Sequence, residues 1–152
     1  SMDENKLDYQ IKELSKEDIE KQFNSFKYTL KNLREVGNLS VTDAIKLLLE
    51  INSRNGHIYV AQREDGEIIL TGTLLIEQKF IRQGGKVGHI EDVATREGHE
   101  GKGIGKTITT KLIEEARRHG CYKVILDCSE KNVPFYEKTG FRRYEVCMRL
   151  DL

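Results

Sequence analysis

The stretch Glu100-Gly-Lys-Gly-Ile-Gly-Lys-Thr107 determines how the rest of the chain is interpreted. Its glycines alternate with larger residues, and Ile104, Ile108 and Leu112 then recur at helical spacing. A glycine-rich loop that opens a helix is typical of phosphate binding, because the unpaired amides and the dipole of a helix N-terminus attract anions. The stretch therefore predicts a site for a phosphate or a diphosphate.

The nucleotide-binding P-loop, G-x-x-x-x-G-K-[ST], is one interpretation of this loop. Gly105-Lys106-Thr107 matches the end of that pattern, but the position of its first glycine holds Glu100. A carboxylate at that position would face the phosphates, and too little chain follows the loop for the rest of a nucleotidase. The surroundings of the loop must therefore decide which phosphate it binds.

Length and composition limit the class of protein. A chain of 152 residues predicts one domain over 1–152, with Ser1-Met2 interpreted as a tag remnant. Hydrophobic residues make up 38% and charged residues 33%, and the formal net charge of zero argues against a general nucleic-acid binder. No apolar run is long enough to span a membrane and no signal peptide is recognisable, so we expect a cytoplasmic protein.

Cysteine and histidine spacing argues against metal sites and disulfides. Cys121, Cys128 and Cys147 are odd in number and form no C-x-x-C pair. Cys121 and Cys128 flank an apolar run, so we expect them to be small buried side chains. The histidines show no metal-ligand spacing, and no metal is expected; they are His57, His89, His99 and His119.

Hydrophobic periodicity predicts the order β-α-α-β-β-β-α-β-α-β. The strands are expected at 9–14, 57–63, 67–81, 87–95, 123–128 and 141–150, and the helices from Ser15 to Gly37, at 42–49, from Ile104 to Gly120, and at 135–138 with Asn132 as its cap. Short turns make strands two to four antiparallel, whereas the helical crossover makes strands four and five parallel. This is an α/β (α+β) fold with a mixed, mostly antiparallel central sheet flanked by helices.

This order, with a G-x-G loop after the fourth strand, resembles the GNAT acetyltransferases, which bind acetyl-CoA through the pattern Q/R-x-x-G-x-G/A. Gly103 and Gly105 match that pattern, and Glu100 departs from it. Three segments resemble the glucosamine 6-phosphate N-acetyltransferases within that superfamily: GHIEDV at 88–93, GCYKVILDC at 120–128 and KNVPFYEKTGF at 131–141. The resemblance extends over nearly all of the chain and is strongest from Glu77 onward.

The resemblance implies acetyl transfer from acetyl-CoA to the amine of D-glucosamine 6-phosphate, by direct attack in a ternary complex, on the way to UDP-N-acetylglucosamine. It also implies a homodimer whose subunits share the active site. The acetyl-CoA contacts implied are Val93, Ala94, Thr95, Gly101, Lys102, Gly103, Ile104, Gly105, Lys106, Asn132 and Tyr136. The sugar phosphate contacts implied are Lys79, Phe80, Arg82, Glu91, Asp92, Tyr122, Lys123 and Arg149. Arg34 stands where the family has a threonine near the substrate, and no role is assigned to it.

The catalytic candidates are Tyr136, Asp127 and Glu91. By resemblance Tyr136 stabilises or protonates the leaving thiolate, which a phenol with a pKa of about 10 can do; its structural alternative is a core aromatic residue. Asp127 lies in an apolar run, where a buried carboxylate needs a partner. Glu91 and Asp92 are adjacent on a strand, so their side chains point to opposite faces unless a bulge intervenes. Asp127, Glu91 and water all remain candidates for the base that deprotonates the amine.

Two other functions fit the same resemblance. One is a GNAT enzyme for a polyamine, an antibiotic or a protein lysine, which basic phosphate ligands disfavour because a cationic acceptor needs an acidic pocket. The other is a catalytically silent acyl-CoA-binding module, which the presence of both Tyr136 and Asp127 disfavours.

Overall fold

A computed structural model of the protein describes residues 8–152, arranged around a five-stranded sheet of order β1-β2-β3-β4-β5. Ser1-Met2, the expected tag remnant, lies outside the described residues. The elements are β1 Tyr9–Glu13, α1 Lys16–Lys31, α2 Val41–Ser53, β2 Gly56–Arg63, β3 Ile68–Gln78, α3 Ile81–Gly84, β4 Lys86–Thr95, α4 Ile104–Arg118, β5 Cys121–Ile125 and α5 Val133–Glu137, with a 3₁₀ turn at Glu130–Asn132.

The sheet is mixed, as the sequence predicts. Strands β1 to β4 pair in an antiparallel manner, and β4 pairs with β5 in a parallel manner. The parallel pair follows from the α4 crossover, because a short turn cannot return the chain in the same direction.

Helices cover both faces of the sheet. Helices α1 and α2 pack on a face that contains Ile58 and Val60, whereas α4 packs on the opposite face through Ile108 and Leu112. Ile58 and Val60 on one face are buried, and so are Ile108 and Leu112 of α4 on the other. The sheet therefore lies at the centre of the core.

Capping was partly predictable. Ser15 Oγ accepts a hydrogen bond from the amide of Asp18 at 3.1 Å, and Asp18 Oδ2 accepts one from the amide of Ser15 at 2.9 Å, which forms the expected capping box. Asn132 does precede α5, with Pro134 in the first turn, but its side chain makes no capping hydrogen bond.

Two predictions for the C-terminal third are wrong. Strand β5 ends at Ile125, so Asp127 and Cys128 lie beyond it and are exposed instead of buried, and Cys121 is half-buried. The expected final strand at 141–150 is absent from the described chain, although its residues alternate. The reason is that alternation needs a partner strand, and Val146, Met148 and Leu150 are 84%, 87% and 83% exposed.

Candidate active site

Strand β4 separates from β5 halfway along its length. Their parallel pairing ends at His89 and Ile125. A β-bulge follows: Thr73 pairs with Glu91 and Thr71 with Ala94, so two residues of β4 stand opposite one residue of β3. A bulge bends its strand, and the rest of β4 is left without a partner on the β5 side. We call the gap between residues 90–95 and 126–129 the notch.

The bulge is fixed by packing beneath it. Asp92 adopts a left-handed φ of 49°, and Gly72 lies opposite the bulge. A Cβ on Gly72 would come within 3.0 Å of Leu112 Cδ1 and 3.3 Å of Ile108 Cγ1, so α4 packs directly on the bulged region. Because a bulge does intervene, the side chains of Glu91 and Asp92 need not point to opposite faces of the sheet.

The glycine loop lies at the start of α4, beside the notch. Gly101 and Gly103 have left-handed φ values of 77° and 76°, and no heavy atom lies within 4 Å of a Cβ built on either residue. No side chain caps the first turn of α4. Unpaired amides at such a helix end bind anions, so the open loop fits a diphosphate.

Gly105 has a different function from the other two glycines of the loop. A Cβ on Gly105 would meet Phe135 Cζ at 3.4 Å, so this glycine allows α5 to pack close to the first turn of α4. Lys106 lies next to it and lines an open groove of about 360 Å³ with Gly103, Thr107 and Lys111. Ile11 of β1 also lines this groove, which therefore extends from the loop along the side of α4 that is next to β1.

Glu100, which departs from the family pattern, is hydrogen-bonded to helix α1. Its Oε1 accepts a hydrogen bond from Asn32 Nδ2 at 2.8 Å, and the same Nδ2 donates to the carbonyl of Thr95 at 2.7 Å. Asn32 is the residue that ends α1. Its carboxamide therefore joins the end of β4 to the first residue of the glycine loop.

Arg96, the residue after β4, connects the same region to more groups than Asn32 does. Its NH1 is 2.6 Å from Glu67 Oε1, its NH2 donates to Ser25 Oγ at 2.9 Å, and its Nε donates to the Ile68 carbonyl at 3.2 Å. The guanidinium also lies 4.6 Å from the ring centroid of Tyr28. Neither Arg96 nor Asn32 was found from the sequence, because a polar residue at a strand or helix end looks like ordinary surface charge.

Three carboxylates meet at the mouth of the notch. Burial raises the pKa of Glu91, and the charges of Asp127 and Asp92 raise it further. The carboxylate of Asp127 raises the pKa of the exposed Cys147 thiol, and the charge of Glu91 raises it further. The structure thus brings Glu91 and Asp127 together and adds Cys147, a residue that sequence reasoning did not select.

Tyr136 stands on α5 beside the far side of the notch. Burial raises the pKa of its phenol, with a smaller contribution from Cys128, the residue that follows Asp127. Phe135 and Phe141 pack edge-on against its ring, with centroid distances of 4.9 Å and 5.9 Å. Tyr136 is therefore a partly buried phenol that stays protonated at neutral pH.

The predicted phosphate ligands are only partly gathered. Arg82 and Lys123 lie 5.0 Å and 5.7 Å from the ring centroid of Tyr122. Lys79 instead pairs with Glu77 at 3.1 Å, and Arg149 pairs with Asp151 at 2.7 Å in the exposed C-terminal segment. Phe80 is fully exposed at the tip of the β3–β4 loop. Four of the five groups therefore lie around the β3–β4 loop and the adjacent part of β5, whereas Arg149 belongs to the C-terminal segment.

Within residues 8–152, no helix combines the length and the apolar character needed to cross a membrane. The same part of the chain contains no group of three or more His, Cys, Asp or Glu side chains arranged to hold a metal ion.

The bulged strand, the notch and the glycine loop at a helix N-terminus make up the candidate active site, and all three lie within the residues that a family model matches. The chain belongs to the acetyltransferase (GNAT) family, whose model matches residues 17–141. A glucosamine 6-phosphate N-acetyltransferase of Candida albicans is 42% identical over 121 residues, which are 78% of this chain and 81% of that protein.

Two trypanosomal comparisons agree with that assignment. The glucosamine 6-phosphate N-acetyltransferase of Trypanosoma brucei brucei is 54% identical over 87 residues, which are 57% of this chain and 59% of that protein's length. The crystal structure of a Trypanosoma brucei acetyltransferase superimposes with a TM-score of 0.89 at 39% identity, over 95% of this chain and 100% of that one.

Proposed function

We propose that the chain transfers the acetyl group of acetyl-CoA to the amine of D-glucosamine 6-phosphate, giving N-acetyl-D-glucosamine 6-phosphate and CoA for UDP-N-acetylglucosamine synthesis. The observation that carries the proposal is the meeting of Glu91 and Asp127 at the mouth of the notch, beside Tyr136. Acidic and phenolic groups at that point are what amine deprotonation and thiolate protonation require. The named relatives support the choice of acceptor.

The notch and the glycine loop hold acetyl-CoA in this proposal. The amides of the open loop bind the diphosphate, with Lys102 and Lys106 adding positive charge. The extended part of the cosubstrate lies along the unpaired edge of β4, where extended backbone amides can donate to it. The cosubstrate set is Val93, Ala94, Thr95, Gly101, Lys102, Gly103, Ile104, Gly105, Lys106, Asn132 and Tyr136.

Glu91 and Tyr136 carry the two proton transfers. Glu91 accepts the proton of the ammonium group, because its raised pKa brings it closer to neutral pH and makes it a stronger base than an ordinary carboxylate. Asp127 raises that pKa and helps to orient the amine. The amine nitrogen bonds to the thioester carbon, the carbon–sulfur bond breaks, and the Tyr136 phenol gives its proton to the leaving sulfur, while the nitrogen loses its remaining extra proton to water. Solvent then reprotonates the phenolate.

The active site is completed by a second copy of the chain. The C-terminal segment, residues 142–152, alternates in the manner of a strand, and Val146, Met148 and Leu150 remain exposed. The outer edge of β5 is also free within the described sheet, since β5 pairs with β4 alone. A homodimer in which these parts pair would cover the apolar side chains. Lys79, Phe80, Arg82, Lys123 and Arg149 then contribute to a shared acceptor pocket.

The proposed compartment is the cytoplasm. Cys121, Cys128 and Cys147 are all free thiols, which agrees with a reducing environment.

A cationic acceptor is the competing possibility, because Glu91, Asp92 and Asp127 form an acidic group that suits a polyamine or an aminoglycoside. The test is release of the CoA thiol, followed with a thiol-reactive dye, from acetyl-CoA with glucosamine 6-phosphate, glucosamine, spermidine or an aminoglycoside. We expect turnover with the phosphorylated sugar and little with the others. Binding of acetyl-CoA without thiol release in the presence of glucosamine 6-phosphate would contradict the proposed acceptor.

A further inference from the structure

The β3–β4 loop, residues 79–85, contains the short element α3, and its backbone departs from a regular helical turn. Arg82 and Gln83 both have a left-handed φ of 58°, and Gly84 follows with a φ of 73°. The β2–β3 hairpin, in contrast, turns on the single left-handed residue Gly66. Consecutive left-handed residues with side chains are strained, and such a conformation persists only where neighbouring groups fix it.

Hydrogen bonds close the base of this loop. The amide of Lys79 donates to the carbonyl of Gly85 at 2.9 Å. Gln78 Nε2 donates to the carbonyl of Gly84 at 2.8 Å and to that of Lys79 at 3.2 Å. A single carboxamide therefore joins both sides of the loop.

The ring of Tyr122 supports the loop from the side of β5. A Cβ on Gly85 would lie 2.9 Å from Tyr122 Cδ1 and 2.9 Å from Arg82 Cβ. Gly85 has an ordinary φ of −70°, so space alone, and not backbone conformation, requires glycine there. Arg82 Cζ lies 5.0 Å from the centroid of the same ring, which is a cation–π distance.

Within residues 8–152, the tip of the supported loop is left uncovered. Phe80 is 101% exposed and Ile81 is 63% exposed. The turn thus keeps a strained backbone that is supported by the close packing of Gly85 and by the stacked Arg82. Its apolar tip is exposed to solvent. A contact outside this chain would account for the shape of the loop.

We propose that Tyr122 is a positioning residue for the acceptor site: its ring holds Arg82 and the left-handed turn so that the loop presents Arg82 and Phe80 to the sugar phosphate in the paired subunit. The inference rests on the proposed function for the identity of the acceptor. It requires the ring of Tyr122 and not the hydroxyl, because Gly85 and Arg82 contact ring atoms. It replaces the direct sugar contact that the resemblance implied for Tyr122.

Steady-state kinetics separate positioning from direct contact. Tyr122→Leu and Gly85→Ala are expected to raise KM for glucosamine 6-phosphate about tenfold while KM for acetyl-CoA changes less than about twofold. Tyr122→Phe keeps the ring and is expected to restore most of the loss. Gly66→Ala, at the opposite end of β3, is the control for replacing a crowded hairpin glycine, because a Cβ there would clash with Gln22 Nε2. It should leave KM for the sugar unchanged. A defect in Tyr122→Phe as large as that in Tyr122→Leu would overturn the inference in favour of a hydroxyl contact.

A tryptophan at the loop tip gives a readout that does not depend on activity. The chain has no tryptophan, so Phe80→Trp introduces a single reporter. We expect its fluorescence anisotropy to fall when Tyr122→Leu is added and to stay unchanged when Tyr122→Phe is added. Unchanged anisotropy in both double variants would overturn the positioning role. A fall in anisotropy, combined with a wild-type protein that does not acetylate glucosamine 6-phosphate, would instead refute only the proposed acceptor.

Discussion

The cofactor side and the acceptor side of this site are built in different ways. On the cofactor side, Arg96 and Asn32 join the end of β4 and the glycine loop to α1 and β3 within one chain. On the acceptor side, Asp127 is exposed, Phe80 points into solvent, and the C-terminal segment has apolar residues uncovered. From this difference we expect that one chain can bind acetyl-CoA by itself, and that the proposed acceptor pocket requires a second copy.

Removal of residues 144–152 tests this difference most severely. Without the segment that is proposed to pair with the second copy, we expect the transfer rate to fall at least about a hundredfold, because the acceptor groups lose their geometry. Acetyl-CoA affinity, measured by calorimetry, should change no more than about fivefold, since the cofactor side lies within one chain. Light scattering should give the mass of a monomer.

A point variant tests the same contact without shortening the chain, so that the result does not depend on whether the shortened chain folds. Met148→Glu keeps the length but places a charge on the apolar side of the segment, and it should separate the subunits in the same way. A monomer with undiminished turnover would break the comparison, because one chain would then contain the whole pocket.

Tyr136→Phe is expected to have the next largest effect. Removing the phenolic proton donor should lower kcat about a hundredfold, which is the usual contribution of a general acid. KM for acetyl-CoA should hardly change, since the ring still packs between Phe135 and Phe141. Because burial raises the pKa of Tyr136, the wild-type rate should also stay constant into the alkaline range. An equal rise in KM would point to a packing defect and not to loss of an acid.

The effect of Glu91 on stability and turnover at different pH values tests the region where the cofactor side meets the acceptor side. Its folded pKa is raised above 4.5, chiefly by burial and then by Asp127 and Asp92. The fold therefore favours the protonated carboxyl, and stability is lost as pH rises through that raised pKa. Glu91→Gln should consequently raise Tm at pH 7 relative to wild type, and raise it less at pH 4, while turnover falls.

Asp127→Asn removes a charge that opposes ionisation of Glu91, so the acid limb of kcat/KM should move to lower pH. If Asp127→Asn abolishes that limb and Glu91→Gln retains it, Asp127 is the base and Glu91 only orients the amine.

The sequence predicted the local parts of this site well. The glycine loop, α4 and the parallel β4–β5 pair follow from patterns within a few residues of each other. The bulge was not predictable, because Glu91 to Val93 contain no glycine or proline, and its position depends on Gly72 packing beneath α4. Arg96 was missed because Ser25 and Glu67, its partners, are distant in sequence. The final strand failed because alternation predicts a strand but cannot say which chain pairs with it.

The smallest expected effect concerns Glu100, the one loop position that departs from the family pattern. Its carboxylate adds a negative charge to the loop that is proposed to bind a diphosphate, but it also accepts the hydrogen bond from Asn32. In Glu100→Gln the carbonyl oxygen can accept the same hydrogen bond while the charge disappears. Acetyl-CoA should then bind about two- to threefold more tightly at low salt, and the gain should shrink in high salt as screening increases.

Glu64→Gln is the matched control for Glu100→Gln, because it removes an equal charge at the distant β2–β3 turn and should leave acetyl-CoA binding unchanged. Weaker binding by Glu100→Gln would mean that the charged carboxylate strengthens the hydrogen bond from Asn32, and that this gain outweighs its repulsion of the diphosphate. Asn32→Ala distinguishes the two terms, since it removes the hydrogen bond and keeps the charge. Weaker binding of acetyl-CoA by Asn32→Ala, together with tighter binding by Glu100→Gln, would show that the Asn32 carboxamide stabilises the cofactor side and that the Glu100 charge opposes binding. In that case Glu100 is a tolerated departure from the family pattern.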